Sequence, residues 1–291
     1  MAIEKRAITI KADDGYALSA MLYEPATGAA EGAPLTIIAS ATGVPQSYYA
    51  RFATYLAEQG RAVLTFDGRG IGKSAPASLI GFKARFRDWG ILDFPGVIDW
   101  AKATYPDRAL HWIGHSYGGF GLGLARNNDA VTKLLGISTM SADVRLFENK
   151  RSALQVGLLL FVMAPVAARV QGYGKGKYFG GTDLPRDVVL EWSRWCRTKG
   201  FLFGIDDLPE HRYFATVTAD VRLTLPLDDP WLGKGGVEHL LGNFTNAKHR
   251  DIWTFGPADT GGKPIGHLGF FRSDFRETLW PKALAWLATE S

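Results

Sequence analysis

Apolar and polar residues alternate between positions 7 and 24, with Asp13-Asp14-Gly15 in the middle. A period of two on either side of a turn tripeptide predicts an antiparallel hairpin at the start of the chain. The pattern then changes. Leu35 to Ser40 is a short apolar run, Tyr49 to Gln59 carries helical periodicity, and Ala62 to Phe66 is again β-branched and aromatic. The alternation continues with a helix near Asp88 to Thr104, a strand near Leu110 to Ile113, a helix from about Tyr117 to Asn127 and a strand near Leu134 to Ser138. Repeated βα units of this length predict an α/β fold: a mainly parallel sheet with helices on both faces, binding ligands at the carboxyl ends of its strands.

From Ala142 to Ala219 the regular alternation stops. In its place come a long apolar segment, a glycine-rich stretch from Gly172 to Gly181 and a helix around Pro185 to Arg197. The α/β pattern returns with a strand at Val221 to Leu227, a helix near Val237 to Asn246, a strand at Asp251 to Phe255 and a closing amphipathic helix from Arg272 to Ala288. The expected organisation is a body made of residues 1–141 and 220–291, carrying residues 142–219 as an inserted helical cap.

Composition narrows the function classes. With 46% hydrophobic and 21% charged residues the chain is expected to bury a core, and 33 basic against 29 acidic residues, scattered rather than clustered, give nucleic-acid binding no support. Cys196 stands alone, which excludes an intramolecular disulfide and a site of paired thiolates. The N-terminus reads Met1-Ala-Ile-Glu-Lys-Arg without an apolar signal stretch, so a cytoplasmic location is expected. The segment from Ser152 to Ala168 is almost free of charge, but it contains Gln155 and Pro165 and is bounded by Arg151 and Arg169. It falls short of the roughly 20 residues a spanning helix needs, so no stable membrane insertion is expected. Its apolar run from Leu158 to Met163 is expected either to bury the cap on the body or to line a pocket.

The segment that points to chemistry is Leu110-His111-Trp112-Ile113-Gly114-His115-Ser116-Tyr117-Gly118-Gly119-Phe120. It is a G-x-S-x-G pattern between a predicted strand and a predicted helix, where glycines permit a sharp turn that lifts the serine hydroxyl above the sheet. The plainer alternative is that Ser116 caps the helix. His115 adjoins it in sequence but is expected to be structural, since a base is defined by geometry.

With these residues in place the chain resembles the α/β-hydrolase superfamily over nearly its whole length. Asp67-Gly68-Arg69-Gly70-Ile71-Gly72-Lys73-Ser74 is similar to that superfamily's D-x-R-G-x-G-x-S loop, and Gly266-His267 follows the last strand, where the superfamily keeps its histidine. A closer likeness, to a group of mostly uncharacterised bacterial hydrolases, rests on Leu184-Pro185, Trp192 to Cys196, Gly266 to Phe271 and Leu279-Trp280-Pro281.

The resemblance implies a nucleophilic Ser116 with His267 as its base, because a serine hydroxyl needs a base to take its proton. Of the six histidines, His111 lies in a strand, His211 in the cap, His239 on a helix and His249 before a strand, while His267 sits on a glycine-rich loop. The acid is expected within Leu227-Asp228-Asp229-Pro230-Trp231, with Asp229 favoured by the superfamily's proline-containing turn, Asp228 as the alternative and Asp143 a weaker one. The backbone N–H of Tyr117 is expected to bind the oxyanion. The second donor is expected in Ala41-Thr42-Gly43-Val44, where this chain has Thr42-Gly43 in place of His-Gly, and the Val44 amide is favoured. The implied activity is hydrolysis of a small-molecule ester or thioester through an acyl-serine. Acyl transfer or peptide cleavage by the same residues, and a non-catalytic receptor, are the alternatives. No H-E-x-x-H or phosphate-binding loop is present, so no metal or organic cofactor is implied, and Gly174-Lys175-Gly176-Lys177 is expected to be a flexible surface loop.

Overall fold

The computed structural model describes residues 2–148, 150–178 and 180–289. Strands β1 (Ile3–Lys11) and β2 (Ala17–Pro25) form the expected hairpin, paired antiparallel from Ile3 opposite Pro25 to Lys11 opposite Ala17. Then come β3 (Leu35–Ala39), α1 (Ala50–Glu58), β4 (Ala62–Phe66), α2 (Phe86–Asp88) and α3 (Phe94–Thr104). β5 (Leu110–His115), α4 (Tyr117–Phe120) and β6 (Val131–Ile137) follow. After a long intervening segment the chain returns as β9 (Asp220–Pro226), α8 (Lys234–Asn243), β10 (His249–Phe255) and α9 (Leu279–Leu287).

The intervening segment holds α5 (Lys150–Leu158), α6 (Ala164–Gln171), the short strands β7 (Tyr173–Gly174) and β8 (Leu184–Pro185), and α7 (Arg186–Arg197). The main sheet has eight strands in the order β1-β2-β4-β3-β5-β6-β9-β10; β2 meets β4 antiparallel, and from β4 to β10 every pairing is parallel. β3, β4 and β5 are buried at every residue, as strands covered on both faces must be. One covering layer, with Phe94, Val97 and Tyr117, packs on Phe66 and Trp112. The other, with Phe52, Phe271 and Trp280, packs on Ile113 and Leu135.

Two helices are shorter than the periodicity predicts. After Ser116 the α-helix covers only Tyr117–Phe120 and tightens into a 3₁₀ turn at Gly121–Leu124, well before Asn127. The glycines are the cause. They carry little helix propensity, and a Cβ would stand 2.6 Å from the Tyr117 ring at Gly121 and 2.4 Å from the Phe214 ring at Gly123. The closing helix begins at Leu279 rather than Arg272, so that Pro281 falls in the first turn, where its missing N–H costs nothing.

The intervening segment adds no described strand to the main sheet. α5, a π turn at Leu159–Met163 and α6 make one rod, Lys150–Gln171, of 22 residues. The wide π turn accommodates Pro165, which cannot donate a helical hydrogen bond. By length and composition the rod is apolar enough to cross a membrane, and only 28% of its most apolar stretch is buried. The expectation for Leu158 to Met163 holds only at Leu160, which turns inward; Leu158, Val162 and Met163 are exposed and are not among the walls of the cavity at Ser116.

α7 anchors the segment to the body. The Arg87 guanidinium donates from Nε to Glu191 Oε1 (2.6 Å) and also reaches the Asp207 carbonyl, while the Arg87 amide donates to Glu191 Oε2 (2.8 Å). The glycine-rich stretch is a second anchor rather than a free surface loop. The Thr182 amide donates to the Gly43 carbonyl (2.7 Å), the Gly176 amide donates to Asp183 (2.8 Å), and a Cβ on Gly181 would stand 2.3 Å from the Gly43 oxygen. Only glycine permits backbones to approach this closely.

Candidate active site

Ser116 sits between β5 and α4 at φ 51°, ψ −110°, a conformation that non-glycine residues seldom adopt. Its surroundings impose the strain. The Ser116 amide donates to the Ile137 carbonyl (2.9 Å), and the Thr139 hydroxyl donates to the Ser116 carbonyl (2.7 Å). The flanking glycines are obligatory for steric reasons: a Cβ would lie 2.3 Å from the Gly118 backbone at Gly114, and 2.2 Å from the Ala39 carbonyl oxygen at Gly118. The expected elbow therefore follows from close packing of α4 against β3 and β5.

The paired aspartates separate cleanly. Asp229 Oδ2 accepts from His267 Nδ1 (2.8 Å), and its other oxygen accepts from the Trp231 amide (2.9 Å). Its side chain is fully buried. Asp228 instead accepts from the amides of Ile265 (2.7 Å) and Gly266 (3.1 Å), so it holds the loop immediately before His267. Because a carboxylate oxygen only accepts, His267 carries its proton on Nδ1 and leaves Nε2 as the free acceptor.

His115 is a bridge rather than a second base. Its Nε2 is 2.8 Å from the His267 carbonyl and its Nδ1 is 2.8 Å from the Tyr49 hydroxyl, which in turn accepts from the Ala41 amide (2.9 Å). Complete burial, with His267 nearby, lowers its pKa to about 3, so it stays neutral and links the β3–α1 loop to the His267 loop. The sequence showed no sign of this bridge beyond the adjacency of His115 and Ser116.

The β3–α1 loop departs from expectation. The Val44 amide is turned back on its own loop and donates to the Ala41 carbonyl (3.1 Å), across a turn that places Gly43 at φ 74°. With the Ala41 amide on Tyr49, the Thr42 and Gly43 amides have no hydrogen-bond partner among the described residues, and of these two residues Thr42 borders the cavity at Ser116. Asp67 shapes the same loop, accepting from the Gln46 amide (2.7 Å), and Arg69 donates to Asp93 (2.7 Å) and Asp14 (2.8 Å). The Asp67 to Ser74 motif is thus scaffolding.

Ser116 and His267 open on one cavity of about 140 Å³, whose walls include Phe86, Phe120, Met140, Trp192 and Trp231. Four rings stack in a column: Phe86 on Trp192 (5.7 Å), Trp192 on Trp231 (6.4 Å) and Trp231 on the His267 imidazole (5.4 Å), with interplanar angles of 21°, 25° and 25°. Trp231 comes from the segment that holds Asp229, whereas Phe86 and Trp192 reach the cavity from α2 and α7.

The remaining candidates lie elsewhere. His111 meets Arg61 (3.1 Å), His211 the Leu208 carbonyl (2.6 Å) and His239 the Ser141 hydroxyl (2.8 Å), and His249 is exposed. Asp143 caps a 3₁₀ turn through the Arg145 amide (3.0 Å) and accepts from the Gly200 amide (2.8 Å).

A family model described as alpha/beta hydrolase fold matches residues 37–208, more than half of the chain. The chain belongs to this family. Solved structures similar to this alpha/beta hydrolase include an esterase of Pyrococcus furiosus, 18% identical, with a TM-score of 0.63 over 98% of this chain and 91% of that one. Est1E of Butyrivibrio proteoclasticus, solved with ferulic acid bound, is 18% identical, with a TM-score of 0.61 over 97% of this chain and 100% of that one. The esterase domain of a Rhodothermus marinus protein is 17% identical, with a TM-score of 0.57 over 98% of each. At these identities the likeness is one of fold. No curated protein matches the sequence.

Proposed function

We propose that this chain is a serine hydrolase that cleaves a carboxylic ester or thioester through an acyl-enzyme on Ser116, with residues 142–219 acting as a cap over the site. The observation that carries this reading is the pairing of a strained serine with an aspartate-held histidine on a single apolar cavity. Ser116 Oγ attacks the carbonyl carbon as its proton passes to His267 Nε2, and the Asp229 carboxylate offsets the charge that the imidazole gains. The carbonyl electrons move onto oxygen, where the Tyr117 amide and, in our assignment, the Thr42 amide donate to the developing anion. Collapse expels the alcohol or thiol, which takes the proton from His267. Water then enters by the same route and frees the acid.

The cavity supplies no charged partner for the substrate. Its apolar walls and aromatic column favour a small or flat acyl group, consistent with the esterases among the structural neighbours and with the ferulic acid held by Est1E. Hydrolysis of p-nitrophenyl acyl esters of increasing length, run beside fluorophosphonate labelling of wild type and Ser116→Ala, tests the reading. Turnover and labelling that vanish together in the variant support it; a wild type that neither labels nor hydrolyses any ester sinks it.

A further inference from the structure

The rod Lys150–Gln171 leaves one face without a partner. Leu154 is 73% exposed, Leu158 54%, Val162 52%, Val166 55% and Val170 80%, and Met163 beside them is 49% exposed. These residues recur every fourth position. In an unbroken α-helix that spacing drifts by about 40° per step, and the wide turn at Leu159–Met163 takes up part of the drift. The opposite face, with Leu160, Ala164 and Ala168, is buried and belongs to the same apolar cluster as the cavity residue Trp192 on α7. The exposed stripe is therefore the outer surface of the layer that walls the site, and an exposed apolar face of this extent marks an interaction surface.

Charge indicates what the surface meets. Between Lys150 and Lys177 the chain carries Lys150, Arg151, Arg169, Lys175 and Lys177 and no Asp or Glu. Lys150, Arg151, Arg169 and Lys177 are exposed. A second copy docked on this face would bring like charge against like charge around the apolar contact. An anionic bilayer surface offers acyl chains to the stripe and phosphates to its basic margin, the combination that interfacial helices use. We infer that the Lys150–Gln171 helix lies flat in the surface of an anionic membrane and docks the protein there without spanning it.

The test is co-sedimentation of the full-length protein with vesicles of phosphatidylcholine alone and of phosphatidylcholine mixed with phosphatidylglycerol. Binding is expected to the mixed vesicles, to weaken as salt is raised and to be slight on the neutral ones. Leu154→Gln with Val170→Gln should lower the vesicle partition at least about tenfold. Lys150→Gln with Arg169→Gln should weaken binding to the mixed vesicles by roughly tenfold and leave the weak binding to neutral ones unchanged. Circular dichroism melting confirms that each variant is folded, a readout independent of any esterase activity. No binding to mixed vesicles, or equal binding to both kinds, overturns the inference. So does a dimer in sedimentation velocity that Leu154→Gln with Val170→Gln dissociates, since the stripe would then belong to a second copy.

Discussion

The strand Leu110–His115 and the helical run from Leu154 to Val170 both carry large apolar side chains, yet every residue of the first is buried whereas Leu154, Leu158, Val162, Val166 and Val170 stand in the open. The strand has a neighbour on each side and a helical layer on each face, so its position is fixed many times over. That redundancy lets the body hold Ser116 in an unfavourable conformation. The helical run has one packed side, and the polar ties of its segment to the rest of the chain lie outside it, at Arg87 to Glu191 on α7 and at Thr182 to Gly43. Apolar sequence thus records a need for a partner, and the surrounding topology decides whether the chain itself supplies one.

If the body is where chemistry is fixed, its residues should give the largest effects. Ser116→Ala should lower kcat by about a millionfold, the loss that follows deletion of a serine from a serine–histidine–aspartate set. The two aspartates sharpen the point because they adjoin in sequence and differ only in partner. Asp229→Asn should lower kcat by about 10⁴-fold, since it leaves His267 in the wrong tautomer. Asp228→Asn, which weakens the hold on the Ile265 and Gly266 amides, should cost no more than about tenfold, in line with the about 1 kcal/mol worth of a typical hydrogen bond. Steady-state kinetics on one ester decides, and equal losses at both positions would break the division of roles.

The tie between the two regions should appear in stability. Glu191→Ala removes the carboxylate from the 2.6 Å pair with Arg87, both partners being nearly buried. Arg87 keeps its contacts with the carbonyl and carboxylate of Asp207, so the loss is expected at roughly 1–3 kcal/mol, read as a lower denaturant midpoint. A midpoint within experimental error of wild type would mean that the Arg87–Glu191 pair adds nothing to the hold between residues 142–219 and the rest of the chain.

Acid should weaken the body through the two buried histidines, His111 and His115, both lowered by burial to about 3. Between pH 6.5 and about 3 the unfolded chain binds protons there that the native state does not, so their contribution falls as pH falls, by at most about 1.4 kcal/mol per pH unit for each. His115→Gln should flatten the pH dependence of the melting temperature within that window and leave it unchanged above pH 7. An unchanged acid slope in the variant would show that His115 is already charged in the native state.

Much of the body was legible because its signals are local. The hairpin, the βα alternation, the elbow glycines and the histidine loop each follow from residue type and spacing. The choice of Asp229 over Asp228 rested on a proline turn, and the structure gives the physical distinction: one carboxylate faces the His267 ring and the other the backbone of its loop. What was not legible depends on distant contacts. Gly121 and Gly123 pack on the rings of Tyr117 and Phe214 where the helix after Ser116 ends, Gly181 packs on Gly43, Ala41 captures the Val44 amide, and the four-ring column draws on Phe86, Trp192, Trp231 and His267 from four separate stretches of chain.

The smallest expected effect is the one that most directly tests the comparison. A residue in β5 such as Ile113, fully buried among Leu135 and Ile137, should cost roughly 2–5 kcal/mol on substitution by alanine, through lost burial and the cavity left behind. Leu154→Gln and Val170→Gln, at 73% and 80% exposure, should each change the unfolding free energy in water by no more than about 0.5 kcal/mol and leave turnover of a soluble ester unaltered. Either substitution could even stabilise the isolated protein slightly by removing apolar surface from water. A loss of several kcal/mol at Leu154 or Val170 would mean that the stripe is buried in solution against the chain itself, and the contrast between a self-sufficient body and an intervening segment with an open face would fail.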